Sequence, residues 1–344
     1  MTDKLKVICY WNAGCGGCEV AILDIHERVL DAAQAVDFVF WPILLDAKLK
    51  DLEALPDGSV DLALVNGAIR NRENAHLTRL IRRKSKILVS FGACACWGGI
   101  PALANLYRRA DLLTRVYLDS ESTVNPGGCR PSWEDPARRE SETPPAELTL
   151  PEMYRQVYTL PQLVEVDYLV PGCPPPSEVV WDLLSRIISG DPPARGVFPN
   201  LSTALCNSCP RTKDGTTPET FHRVHEVEPD PERCLLEQGL LCLGACTRDG
   251  CGARCTTAGM PCRGCFGPAD DVLDQGAKFL STVAAAAAPE VRDLKAIEKH
   301  LGALRDLVGT AYRFTLAASL LRSHQLAAGP AEAAPQETRE VAVV

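Results

Sequence analysis

Over the first two hundred residues, short dense apolar runs alternate with stretches in which apolar positions recur every three or four residues. The runs at 6–11, 36–45, 60–69, 86–93 and 166–170 carry little polar alternation, as strands buried on both faces do. Between them, residues 19–33 set Val20, Leu23, His26 or Glu27, and Leu30 at helical spacing, and 72–84 and 178–189 repeat the pattern. Strand followed by helix, over and over, predicts an α/β fold across residues 1–195. Its sheet should be parallel, doubly wound and flavodoxin-like, with right-handed crossovers.

The pattern then changes. Residues 118–151 are rich in Pro, Glu and Gly without periodicity and read as an inserted surface loop, and Asp191-Pro-Pro193 marks a linker. Residues 196–270 are turn-rich and dense in cysteine. Their apolar periodicity is too weak to hold a fold, so metal clusters would have to serve as the core of an irregular iron–sulfur domain. Residues 271–280 and 290–326 read as helices of a C-terminal helical segment, 271–327. There Leu301, Leu304, Leu307, Val308, Leu316, Leu320 and Leu321 offer an apolar face to this chain or to a partner. The tail, 328–344, is Ala-, Pro- and Glu-rich and is expected to be disordered.

A chain of 344 residues allows about two domains at roughly 150 residues each, and 46% apolar composition is enough for a substantial core. The formal charge of −8, with basic residues scattered among acids, leaves no basic stripe for nucleic acid. The longest apolar stretch, 283–288, falls far short of the ~18 residues of a membrane span. The start of the chain shows neither an export-type apolar region nor twin arginines, so a cytoplasmic location is expected. Sixteen cysteines in such a chain favour metal ligation over disulfides.

Twelve of those cysteines fall into three sets of four. Cys15, Cys18, Cys94 and Cys173 are scattered in sequence, but each follows a strand-like run, and ligands of open α/β sheets bind beyond the carboxyl ends of strands. Four thiolates per site is what a [4Fe–4S] cluster requires. Taken alone, Cys15-Gly-Gly-Cys18 would equally suit zinc or a redox dithiol. Gly14, Gly16 and Gly17 permit a tight loop with amides turned toward sulfur, and Gly92, Gly98, Gly99 and Gly172 suit close approach or ordinary turns. Glu19 either complements a helix dipole or relays protons at an interface. The other eight ligand candidates lie between Cys206 and Cys265.

Four motifs resemble the small subunit of [NiFe]-hydrogenases over roughly residues 5–270. They are Trp11-Asn-Ala-Gly-Cys15-Gly-Gly-Cys18-Glu19, Gly92-Ala-Cys94-Ala-Cys-Trp-Gly-Gly-Ile-Pro101, Val170-Pro-Gly-Cys173-Pro-Pro-Pro176 and Pro261-Cys262-Arg-Gly-Cys265. The stretch from Cys234 to Cys242, with Cys251-Gly-Ala-Arg-Cys255, is most similar to the cytoplasmic group typified by the F420-non-reducing (methyl-viologen-reducing) hydrogenase small subunit. The resemblance implies a proximal cluster on Cys15, Cys18, Cys94 and Cys173, facing a large subunit that carries the Ni–Fe centre. It implies distal ligands Cys206, Cys209, Cys234 and Cys242, and medial ligands Cys251, Cys255, Cys262 and Cys265. Exported relatives use histidine where Cys206 stands and lack Cys255, so three [4Fe–4S] clusters are implied here. All-thiolate ligation suits low potentials and a soluble acceptor, a flavoprotein or a ferredoxin-like or heterodisulfide-reductase-type subunit. Oxygen-tolerant relatives add cysteines at the positions of Gly17 and Gly99, so an oxygen-sensitive proximal cluster is implied.

Cys9 reads as a core residue, Cys96 as a spare buried thiol and Cys129 as a free thiol in the insert. Cys246 competes with Cys242 for the fourth distal position. His26, His222 and His225 read as structural or solvated, and Arg263 as either a surface residue or a modulator of cluster potential. Rival readings are the small subunit of a regulatory hydrogen sensor, a relative of the 20-kDa subunit of NADH:quinone oxidoreductase, and a zinc-stabilised binding module.

Overall fold

The structure, a computed structural model, describes residues 4–131, 150–286 and 306–322. Its centre is a six-stranded sheet of β1 (Leu5–Trp11), β2 (Val36–Phe40), β3 (Val60–Asn66), β5 (Ser85–Phe91), β7 (Tyr168–Val170) and β8 (Gly196–Val197). The strands run in the order β2-β1-β3-β5-β7-β8, and every pairing is parallel. Numbered along the chain, that order is 2-1-3-4-5-6, the flavodoxin-type arrangement with its reversal between β1 and β3.

Period-two alternation explains the two layers. Val7 and Cys9 of β1, Leu62 and Leu64 of β3, and Val89 and Phe91 of β5 pack on one face. That face is covered by α1 (Gly17–Leu23), α2 (Arg28–Ala35) and α7 (Ser177–Ile188). Ile8, Ala63, Val65 and Leu88 point the other way, against α3 (Leu49–Ala54) and α4 (Arg72–Lys84). The bounds expected for α4 match those observed. Asn71 caps it by accepting from the Asn74 amide at 2.8 Å, and Arg82, Arg83 and Lys84 complement its carboxyl end.

Other expected boundaries are corrected. The helix expected over 19–33 is two helices, broken where His26 takes a left-handed backbone at φ 60°. The break lets Ile22 and Ile25 both bury while Leu23 stays exposed. The strand expected over 36–45 stops at Phe40, because Trp41 buries and its carbonyl accepts the amides of Leu44 and Leu45 in a turn. The run 60–69 divides at Gly67, and Ile69 opens β4 (Ile69–Asn71), which pairs antiparallel with the unforeseen β6 (Met153–Tyr158). Two further unforeseen helices, α5 (Ala93–Trp97) and α6 (Arg109–Tyr117), follow β5. The expected insert, where described at 118–131 and 150–151, holds no helix or strand.

The cysteine-dense segment carries an apolar core after all. Leu205, Phe221, Leu235, Leu240 and Leu243 bury against Phe279 and Val283 of α9 (Gln275–Ala286) and against Tyr312 and Leu316. Weak periodicity concealed this core because its members sit in turns and irregular chain, outside the short α8 (Arg254–Thr257). The helix expected over 290–326 is also corrected in its described part. Only α10 (Leu307–Ala311) and a short 3-10 turn at Leu316–Ala318 form, because the chain bends to bury Phe314 and to give the Phe314 carbonyl to the Gly99 amide. Residues 287–305 and the tail 328–344 lie outside the described residues. Among the described residues no helix is long and apolar enough to cross a membrane.

Candidate metal centres

The first cysteine set assembles beyond the carboxyl ends of β1, β5 and β7, beside the reversal in strand order. Cys18 lies in the first turn of α1 and Cys94 in the first turn of α5, where helix dipoles favour negative charge. Backbone bonds lock the loops together: Gly92 donates to the Val170 carbonyl and Ala93 to the Gly172 carbonyl, each at 2.7 Å. Two glycines leave space that sulfur takes. A Cβ on Gly92 would stand 2.3 Å from the Cys18 sulfur, and one on Gly99 would stand 2.4 Å from the Cys94 sulfur. Burial pushes the Cys94 thiol up to about 12, reinforced by the Cys173 and Cys15 thiols and opposed by the Ile100 amide. Burial raises Cys18 as well, with Cys94 and Cys173 adding to it. The four thiols therefore share one locality, in which Cys15 and Cys173 are exposed.

Glu19, next to Cys18, is buried, and its Oε1 accepts from the Asn66 side chain at 2.8 Å at the end of β3. Its Oε2 has no hydrogen-bond partner among the described residues. Burial raises its pKa above the ordinary carboxylate range, against the pull of the Asn66 hydrogen bond.

The second set surrounds a single hollow. Cys206, Cys209, Cys234 and Cys242 all line it, with Gly244 so placed that an added Cβ would lie 3.2 Å from the Cys206 sulfur. Cys246 is not part of that lining; its thiol donates to the Leu243 carbonyl at 3.2 Å. Sequence reasoning missed Lys213, which also lines the hollow and opposes the burial of the Cys206 thiol by charge and hydrogen bond. It lies in irregular chain, where no periodicity could have placed it.

The third set lies between the other two. Burial pushes Cys265 up to about 12, and Cys251 and Cys255 add to that shift, as does Cys173 of the first set, whose backbone amide opposes it. Cys262 donates its backbone amide to the Cys242 sulfur of the second set at 3.3 Å. Arg263 feels the thiols of Cys242, Cys255 and Cys262, so its charge bears on both neighbouring sets.

Of the remaining cysteines, Cys96 lies near a set, close enough to interact with Cys18 and Cys94 of the first. Cys9 is buried in β1, Cys96 donates to the Ser90 carbonyl at 3.1 Å inside the core, and Cys129 is exposed. None of the sixteen forms a disulfide. His26 is an exposed turn residue, whereas His222 and His225 line a cavity together with Arg263.

The donor set of the second hollow fits a cubane, because Cys206, Cys209, Cys234 and Cys242 line it together and four thiols match four irons.

Similarity to known proteins fits this geometry. The F420-non-reducing hydrogenase iron-sulfur subunit of Archaeoglobus profundus is 39% identical over 323 residues, covering 92% of this chain and 98% of the relative. The F420-non-reducing hydrogenase vhu subunit of Methanocaldococcus jannaschii is 42% identical over 300 residues, covering 86% and 94%. The chain belongs to the F420-non-reducing hydrogenase iron–sulfur subunit family. The family described as NADH ubiquinone oxidoreductase, 20 Kd subunit, also matches, at residues 15–187. That span takes in the whole first cysteine set and none of the other two, whereas the two hydrogenase relatives cover both halves of the chain. A solved chain of an NAD+-reducing [NiFe]-hydrogenase in the H2-reduced state is 35% identical, covers 58% of this chain and 97% of its own length, and has a TM-score of 0.47.

Proposed function

We propose that this member of the family is the electron-transfer small subunit of a cytoplasmic [NiFe]-hydrogenase, carrying electrons from H2 oxidation in a large subunit to a soluble acceptor subunit. In this reading Cys15, Cys18, Cys94 and Cys173 hold a proximal [4Fe–4S] cluster. Cys251, Cys255, Cys262 and Cys265 hold a medial one, and Cys206, Cys209, Cys234 and Cys242 a distal one. When bound, such clusters supply one-electron carriers whose potentials follow ligation, charge and burial.

The observation that carries the proposal is the continuity of the three sets. Cys173 of the first acts on Cys265 of the third, and Cys262 of the third donates to Cys242 of the second. This chain's residues would fix the order and closeness of the carriers, bury Cys242 and Cys262 where the second and third sets meet, and set charge beside them with Arg263 and Lys213. The exposed Cys15 and Cys173, with exposed apolar Trp11, Val20 and Ile100 close in sequence to the first set, support docking of a large subunit that carries the Ni–Fe centre. The acceptor would dock at the second set and be a flavoprotein or a ferredoxin-like or heterodisulfide-reductase-type subunit. Residues 1–195 would form the flavodoxin-like unit, extended past the expected bound by β8 (Gly196–Val197), and 198–270 the cluster-bearing unit, with the C-terminal segment bracing both.

Anaerobic purification of the native complex, with mass spectrometry of its partners and nickel analysis, tests the proposal. A nickel-bearing large chain and a redox acceptor subunit are expected. A complex free of nickel overturns the hydrogenase reading, even if iron remains.

A further inference from the structure

A cavity of about 280 Å3 lies outside the three cysteine hollows, where the loop at 222–225, the turn at 261–263 and the segment containing α10 meet. Its lining includes Arg223, Arg263, Arg313, His222 and His225, with Asp306 as the acid among them. This is a concentration of positive charge on a chain whose formal charge is −8. Among the described residues none of the three guanidiniums pairs with a carboxylate, although Arg82, Arg233, Arg248 and Arg254 elsewhere all do. Among the described residues Arg313 makes a single long contact, from Nε to the Gly309 carbonyl at 3.4 Å.

The nearby acids are already engaged. Asp306 caps α10 by accepting from the Gly309 amide at 2.8 Å, and Glu226 accepts from the Arg223 amide at 2.8 Å. Three arginines therefore converge from three separate parts of the chain, outnumbering the one lining carboxylate, Asp306, and the nearby Glu226, and among the described residues none of them is in an ion pair. Such convergence is costly unless an anion completes it. A guanidinium fork matches two oxygens of phosphate, and two imidazoles can add donors on one side. The concave shape favours a compact anion over the flat face of a protein partner.

We infer that this cavity is a binding site for a small polyvalent oxyanion of the phosphate class, either free or as the phosphate end of a nucleotide. The site rests on the arginines and not on the cluster assignment. Iron content, measured separately, therefore distinguishes failure of one from failure of the other.

The test is isothermal titration calorimetry on the anaerobically purified native complex, with inorganic pyrophosphate, inorganic phosphate and AMP as probes. Pyrophosphate or AMP should saturate with one equivalent per copy of this chain, and Arg313→Gln should weaken binding about tenfold or more. Tighter binding of AMP than of pyrophosphate identifies a nucleotide source, and the reverse identifies a free anion; both support the site. Arg223→Gln, on an exposed loop, should show a similar loss and serves if Arg313→Gln fails to assemble, with unchanged iron content as the check on folding. No saturable binding by any probe, or undiminished binding in correctly assembled variants, overturns the inference. So does capture of an acidic polyglutamate peptide when no phosphate probe binds.

Discussion

The backbone amide of Cys262 donates to the sulfur of Cys242 at 3.3 Å, joining two cysteine sets that the chain separates by a turn and a short helix. An amide donor favours the ionised sulfur and raises the potential of whatever that sulfur ligates. The same contact fixes the separation of the two sets. The two sets are thus tied by a backbone donor on one side and a thiol acceptor on the other.

Cys242 and Cys246 should behave differently. Cys242 lines the hollow with three other thiols, whereas Cys246 spends its thiol on the Leu243 carbonyl. Cys242→Ala should cost about four of the roughly twelve iron atoms expected per chain, and Cys246→Ala should retain them all. Iron analysis with electron paramagnetic resonance of the reduced protein checks this, and the opposite pattern would reassign the ligand.

Two glycines of similar φ differ in ψ, −9° at Gly16 and 160° at Gly92, and in what surrounds them. Gly92, at φ 86°, would place a Cβ 2.3 Å from the Cys18 sulfur, while Gly16, at φ 83°, has nothing within 4 Å. Gly16→Ala should cost only backbone strain, about 1–2 kcal/mol. Gly92→Ala should in addition strip the first set of roughly four iron atoms and leave the other sets loaded. Chemical denaturation and metal analysis of the two variants separate strain from displacement.

Removing Lys213 should make reduction at the second set harder. A cation beside Cys206 favours the more negative, reduced state, so Lys213→Gln should lower that potential. Because Lys213 is exposed and screened, the shift should be small, on the order of 20 mV. A redox titration followed by electron paramagnetic resonance measures it, and a rise would contradict the assigned proximity.

Much of the sheet was legible because β1, β3 and β5 are apolar on both faces and the intervening helices repeat at their own period. The first cysteine set was legible for the same reason: strand ends can be placed, so Cys94 and Cys173 could be brought to Cys18 on topology alone. The second and third sets offered no such register. Their loops owe their form to contacts such as Gln275 to Thr247 and Arg211 to the Thr256 carbonyl, which have no sequence period. The break at His26 and the bend after α10 were hidden because tertiary burial of Ile25 and Phe314 overrides helical spacing there. Arg223, Arg263 and Arg313 lie too far apart in sequence to suggest a shared cavity.

The carboxyl of Glu19 gives a pH signature. Burial raises its pKa, so the folded chain holds that proton more firmly than the unfolded chain does. Stability from this group is complete below the unfolded value of about 4.3 and is lost as pH rises through the folded value. Negative charge on a cluster bound by the first set would act in the same direction. Glu19→Gln keeps an oxygen for the Asn66 side chain and should be more stable than the parent above that window, with the difference vanishing at lower pH. Anaerobic thermal unfolding at several pH values checks the sign.

Iron and acid-labile sulfide, quantified per chain on anaerobically purified material with Mössbauer spectroscopy of the iron, address the three-cluster assignment most directly. About twelve irons and as many sulfides, all in four-iron cubanes, are expected. Zinc in place of iron, or iron sufficient for only one or two cubanes in fully loaded protein, would contradict it.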